Sequence, residues 1–179
     1  MKGVVFNILE EMVIEGYGMD AWNDILDQAQ QSTGIFIAFE SYPDEQLFEL
    51  VGIICEKLNQ PAEIIVRAFG EFLFSKLSER YHNFIEDHDN LDSFLKSIHS
   101  VIHVEVAKLY VDPNLPTIEC FDNPDGTMTL RYRSPRKLCI LAEGLIYGAA
   151  KEYKQDISLT HDVCMHKGSE FCDIVVSYK

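Results

Sequence analysis

The chain of 179 residues contains no run of about 18 apolar residues, so no segment suits a membrane-spanning helix. Its opening, Met1 to Asn7, reaches Glu10 and Glu11 too soon for a secretory apolar core, and a cytoplasmic location is expected. Positive charge is scarce. Fifteen Lys and Arg against 29 Asp and Glu leave a net charge of −14. Recognition of a nucleic-acid backbone needs clustered basic residues, and docking on anionic lipid needs them too, so neither partner is expected. An acidic surface suits a protein partner. No Gly-rich phosphate loop, no His-Glu-x-x-His and no Ser or Cys nucleophile motif is present, and an enzyme is not expected. Cysteines number five, an odd count, which in a reducing compartment favours thiols or metal ligands over a disulfide framework. Repeats, low-complexity tracts and linkers are missing, so residues 1–179 read as one domain. What is present is core material: 47% of the residues are hydrophobic and 11% aromatic.

Helical spacing of apolar residues predicts helices over residues 2–16, 20–31, 44–58, about 61–78 and 91–110. The last carries the stripe Leu91, Phe94, Leu95, Ile98, Val101 and Ile102. At Pro113 the character changes. Thr117–Phe121 and Thr127–Arg133 are β-rich and flank the turn Asn123-Pro124-Asp125-Gly126. A helix follows over 137–153, then a hairpin of 156–164 and 170–178 about Lys167-Gly168. The expected class is α+β: a helical N-terminal subdomain, then strand–strand–helix–strand–strand with an antiparallel sheet, and room for a ligand between the two.

Two features carry chemistry. In Tyr132-Arg133-Ser134-Pro135-Arg136, alternation along an extended chain sends Tyr132, Ser134 and Arg136 to one face. A phenol, a hydroxyl and a guanidinium fork together suit one or two carboxylates, with Arg136 able to bind bidentately; the plainer reading is a strand end with a surface Arg. His103 lies on the flank of the 91–110 stripe beside His99, Val106 and Tyr110. It is either a satisfied structural histidine or a ligand to a flat iron cofactor, with His99 as its local competitor.

A His on a long helix, prolines at 113 and 116, a hairpin and then Tyr-x-Ser-x-Arg together resemble the H-NOX family, the haem–nitric oxide/oxygen binding domains. The resemblance covers essentially the whole chain, including Met1-Lys2-Gly3 and Gly144-Leu145. It implies haem b between a distal helical part (1–62) and a part of haem-binding helices and sheet (63–179). It implies His103 as the proximal iron ligand and Tyr132, Ser134 and Arg136 on the propionates. Val5 and Leu145 would pack on the porphyrin, and Pro116 would press on the macrocycle. Family members that hold O₂ carry a distal tyrosine where this chain aligns Leu141; the two positions supporting that tyrosine align with Leu9 and Leu73. Three aliphatic residues offer bound O₂ no donor, so nitric oxide, with CO, is the expected signal. By the same resemblance, NO weakens the Fe–His103 bond, the 91–110 helix loses its tether and the halves shift. The sequence shows no kinase, cyclase or methyl-accepting region, so output is expected in trans, through a sensor histidine kinase or a diguanylate cyclase.

Cys139, His161, Cys164 and Cys172 form a second candidate site. Cys164 and Cys172 are equidistant from Gly168, so the hairpin can bring them together. Three Cys and one His suit a closed tetrahedral zinc site, although the spacing is not that of a standard finger and reduced structural thiols remain the other reading. His161 and Cys164 fall on opposite faces of a regular strand, so a bulge or bend is required, and His166 is the alternative nitrogen. A subgroup of H-NOX proteins is similar in carrying such a zinc. Cys55 and Cys120 read as core or near-core residues. The rival to the whole reading is a non-haem module that binds a hydrophobic acid or a protein, with zinc as a structural staple.

Overall fold

The computed structural model describes residues 1–31, 34–109 and 114–179; Tyr110 and Pro113 lie outside the described residues. Four helices come first: α1 (Gly3–Tyr17), α2 (Met19–Leu26), α3 (Asp44–Leu58) and α4 (Ala62–Arg80). Each follows its apolar spacing. α1 buries Val4, Phe6, Ile8, Leu9 and Val13, and α3 buries Leu47, Leu50, Val51 and Ile54. α3 opens after Pro43 with Asp44 and Glu45 in its first turn, where the helix dipole favours acids, and closes at a left-handed Asn59. α2 stops at Leu26, short of the expected 31, because beyond Leu26 only Ala29 has an apolar side chain to bury.

The 91–110 segment departs from expectation more seriously. After the short α5 (Asn83–Glu86), it divides into α6 (Leu91–Ser97), a π-helical turn (Ile98–Ile102) and α7 (His103–Leu109). Asn90 caps α6 by accepting the Ser93 N–H at 2.9 Å. β-Branched Ile98, Val101 and Ile102 crowd an α-helical turn, and the wider turn relieves them. The phase slips as a result. Val101, expected on the buried stripe, is 47% exposed, whereas Ile98, Ile102 and His103 line one cavity.

The strands are β1 (Thr117–Asp122), β2 (Met128–Arg133), β3 (Ile157–Thr160) and β4 (Cys172–Tyr178), with helix α8 (Cys139–Glu152) between β2 and β3. They form an antiparallel sheet in the order β1-β2-β4-β3. The class is therefore α+β, helical first and then strand–strand–helix–strand–strand. Met128, Leu130 and Tyr132 of β2, with Cys172, Ile174 and Val176 of β4, alternate onto the buried face. Ile146, Ala149 and Ala150 of α8 pack there.

Two hydrophobic cores result, one among α1 to α4 and one between the sheet, α6 and α8. Helix α4 serves both, with Ile65, Phe69 and Leu73 in the first and Phe74 in the second. α4 also crosses α8 with the backbones almost touching. A Cβ on Gly144 would lie 2.2 Å from the Arg67 carbonyl oxygen, so only glycine permits this approach. Gly3 does the same at the other end, where a Cβ would meet Ile37 O at 2.1 Å. No helix among the described residues is long and apolar enough to cross a membrane.

Candidate functional site

Between the cores lies a cavity of about 350 Å³. Its walls come from the first turn of α1, the second half of α4, the α6–α7 segment, β2 and α8. Of the residues expected at a haem, Val5, Leu73, His103, Pro116, Tyr132, Ser134, Arg136, Leu141 and Leu145 all line it. Leu9 does not: it is 1% exposed and packed in the helical core. The reason is direction. The cavity touches only Met1, Lys2, Val4 and Val5 of the N-terminal segment, and one turn later α1 has passed behind the wall. His99 is exposed, its ring 6.2 Å from that of His103, and does not line the cavity.

His103 opens α7 directly after the π turn. Burial, then the neighbouring His99, push its pKa down to about 4, so the ring is neutral near pH 7 and keeps a nitrogen lone pair free for a metal. Its Nδ1 is buried without a partner of hydrogen-bonding geometry among the described residues; only the Pro116 backbone lies near enough to favour the protonated ring.

The polar end of the cavity is built by Tyr132 near the end of β2 and by the turn that follows, where the Lys137 N–H donates to Ser134 O at 3.1 Å. The chain is therefore not extended through Arg136, and it is this turn, not strand alternation, that places its side chain. Tyr132 and Ser134 are buried, and the Tyr132 hydroxyl accepts the Leu138 N–H at 3.2 Å. Ser134 Oγ accepts the Arg136 N–H at 3.2 Å. Arg136 donates through Nε to Asp44 Oδ2 at 2.5 Å and through a terminal nitrogen to Asn114 O at 2.7 Å. Further guanidinium N–H groups remain for a carboxylate. Burial alone would raise the Asp44 pKa, but hydrogen bonds from the Met1 amino group and Arg136 outweigh it and hold the carboxyl below its ordinary value. Sequence reasoning missed Asp44, since its partner is 92 positions away and no local spacing announces the pair. It also missed Ser78 and Tyr81, which reach the cavity wall from the end of α4; the Ser78 hydroxyl is already given to Ser75 O at 2.8 Å. A buried, mostly aliphatic slot with one neutral imidazole and a hydroxyl–guanidinium end fits a flat iron cofactor carrying carboxylates.

The second cluster sits beside this end. Tyr132 pairs with Cys172 across β2 and β4, and Tyr132, Cys139, Cys164 and Cys172 pack as one group. The ligand atoms of Cys139, His161, Cys164 and Cys172 all lie within 4.8 Å of one another. Sγ of Cys164 is 3.9 Å from both Cys139 Sγ and Cys172 Sγ. That matches the separation of about 3.8 Å between two sulfurs bound tetrahedrally to one zinc at ~2.3 Å. The required bend is real: β3 stops at Thr160, and residues 161–171 leave the strand through a short 3₁₀ turn (Met165–Lys167). His161 and Cys164 can then face the same point. His166 is elsewhere, exposed, with Nε2 2.8 Å from Lys137 O. Buried Nε2 of His161 has no hydrogen-bond partner among the described residues. Burial and the adjacent sulfurs push the Cys139 thiol well up, and burial raises Cys172. A divalent cation among these sulfurs would reverse that preference, so the donor set fits zinc. Cys55 and Cys120 are half-buried and remote from this cluster; burial pushes the Cys120 thiol up to about 11.

Glu143 completes the picture and was not foreseen. It is 5% exposed on α8. Its Oε1 lies 2.6 Å from His161 Nδ1, and its Oε2 accepts from Arg67 of α4 at 2.6 and 2.9 Å. Burial would raise its pKa, yet the contacts from His161 and Arg67 hold the carboxyl below its ordinary value.

A family model described as Haem-NO-binding matches residues 2–161. An H-NOX protein from S. oneidensis, solved as a crystal structure in the Fe(II)NO ligation state, is 40% identical with a TM-score of 0.95, covering 100% of this chain and 99% of that one. The H-NOX from Shewanella woodyi, solved in solution bound to IWP-051 in the Fe(II)CO ligation state, is 30% identical with a TM-score of 0.87, covering 100% of this chain and 95% of that one. A soluble guanylate cyclase of Caenorhabditis elegans is 28% identical over 166 residues, 89% of this chain. The chain spans about a quarter of the length of that curated relative, 24%.

Proposed function

The chain belongs to the H-NOX family of haem-based gas sensors, and from that premise we propose that it binds haem b and reports nitric oxide, and CO, while excluding O₂. The H-NOX domain is a sensor domain, not a catalytic one; the cyclase activity of its guanylate cyclase relatives lies in a separate domain. The observation that carries the proposal is the convergence of His103, the Tyr132–Ser134–Arg136 end and the aliphatic Leu141 and Leu73 on one cavity.

In this reading His103 would supply the nitrogen that binds the iron and so would tie α7 to the cofactor. Tyr132, Ser134 and Arg136 hold the propionates, with Asp44 orienting Arg136 from the side. Val5, Leu145 and Pro116 press on the ring. Haem bound here supplies the iron at which a diatomic gas is captured. Leu141 and Leu73 would offer a gas held there no hydrogen-bond donor, a lack that would disfavour O₂ more than NO. Loss of the His103 tether would free α7 and the π turn before it to move against the sheet, and a protein partner would read the movement. Sensor histidine kinases and diguanylate cyclases are the candidate partner classes, met in the cytoplasm, where the thiols stay reduced. Zinc held by Cys139, His161, Cys164 and Cys172 acts as a structural clamp beneath the propionate end.

Optical spectra of the reduced protein with NO, CO and O₂ test this directly. A Soret band that shifts with NO and CO but not with air is expected. A tight O₂ complex would overturn the proposed selectivity, and loss of that complex in Tyr81→Phe would assign the donor to Tyr81. Leu141→Tyr should strengthen O₂ binding about tenfold to a hundredfold, since a buried hydrogen bond to a charged group is worth ~1.5–3 kcal/mol.

A further inference from the structure

We infer that Glu143 and Arg67 are the outer shell of the zinc site: Glu143 locks His161 in the tautomer that presents Nε2 to the ion, and Arg67 locks Glu143. The inference rests on the zinc reading above and adds two residues to it, one of them on a helix that supplies none of the four ligands.

The geometry is specific. Nδ1 of His161 lies 2.6 Å from Glu143 Oε1, and Nε2 is buried with no hydrogen-bond partner among the described residues. A ring nitrogen of His161 lies within 4.8 Å of the three sulfurs, and with Nδ1 engaged by Glu143, Nε2 is the one left for an ion. A carboxylate can only accept, so Nδ1 carries the hydrogen and Nε2 is the nitrogen that can offer a lone pair to a metal. Metal-bound histidines almost always donate their other N–H in this way, which fixes the ring and raises its basicity as a ligand. A carboxylate 5% exposed needs its own compensation, and it has it: Arg67 grips Oε2 through two nitrogens at 2.6 and 2.9 Å. Nor is Arg67 free to drift. Its carbonyl oxygen is the atom against which Gly144 packs, so the closest approach of α4 to α8 also sets the reach of the guanidinium. α4 carries Leu73 in the cofactor cavity two turns further on. The metal site is therefore keyed to the helix crossing and is not confined to the hairpin.

Competition for zinc(II) between the thiol-reduced protein and a chromogenic chelator tests the assignment, with the Soret band and thermal melting as checks on folding. Glu143→Ala should weaken zinc about 10–100-fold. Glu143→Gln should lose less, because its amide oxygen still accepts the Nδ1 hydrogen. Arg67→Ala should weaken zinc as well, and the Arg67–Glu143 double variant should lose little more than Glu143→Ala alone. Ring ¹⁵N shifts of His161 should show a protonated Nδ1 in the wild-type zinc form and exchange between tautomers in Glu143→Ala. Wild-type protein that takes up no zinc would remove both the zinc reading and this assignment. Tight wild-type binding with unchanged affinity in folded Glu143→Ala and Glu143→Gln would overturn the assignment and leave the zinc reading standing.

Discussion

His103→Gly is expected to hold haem only when free imidazole is supplied. His103 is the imidazole that the structure places in the cavity wall; His99, one turn earlier, is exposed and outside it. Losing the nitrogen that would bind the iron should cost more than the roughly 10–100-fold that loss of an outer-shell partner costs a metal site. The substitution empties a volume of imidazole size, so the free base can enter and restore the bond. Glycine at the start of α7 costs the helix about 1 kcal/mol at most, so the fold should survive and circular dichroism should change little. The measurement is the haem-to-protein ratio with and without imidazole. Full loading without it would take His103 out of the ligand role. If loading behaves as expected, the variant rescued with imidazole also separates the α7 tether from the iron, and a partner should read it as the released state whether or not NO is present.

Cys172→Ala is expected to abolish zinc binding, from one ion per chain to almost none when a chelator competes. Structural zinc in small sites contributes about 10–16 kcal/mol of binding, and opening one of four positions to water surrenders a large part of it. Cys172 has no exposed surface, sits on β4 opposite Tyr132, and contacts Cys164 Sγ at 3.9 Å. Zinc at a hundredfold its dissociation constant stabilises by about 2.7 kcal/mol, which for a chain of this size is a fall in Tm of about 5–10 °C on its loss. Wild-type protein stripped of metal should melt close to the variant. That control separates the ion from the missing sulfur atom, and a stripped wild type with an unchanged Tm would show that the ion plays no part in stability.

Asp44, Glu143, Leu9 and the π turn show where sequence reading ends. Asp44 was legible only as an acidic first turn of a helix, and Glu143 only as one polar residue on an apolar helix. Their partners, Arg136 and Arg67, lie 92 and 76 positions away. Leu9 shares a helix face with Val5, and periodicity treats the two alike. Only the position of α1 against the cavity separates them, with Val5 on the wall and Leu9 behind it. The π turn shifts phase by inserting room for crowded β-branched residues, and an assumed α-helical period through Val101 cannot register it.

The α+β class, the order of the strands about the long helix that follows the first hairpin, and the alternation that buries Met128, Leu130 and Tyr132 were determined by the sequence alone. All depend on local periods: 3.6 residues for a helix and two for a strand. Strand alternation does not reach Arg136, because Ser134–Lys137 is a turn, and Cys164 meets Cys172 through the bend after Thr160 and not through strand pairing. The tertiary structure alone decided which carboxylates steady Arg136 and His161, and how nearly α4 and α8 touch. Those outcomes depend on where separate helices come to rest against one another. That is settled by packing among the whole set of buried side chains, a sum to which no short stretch of chain holds the answer.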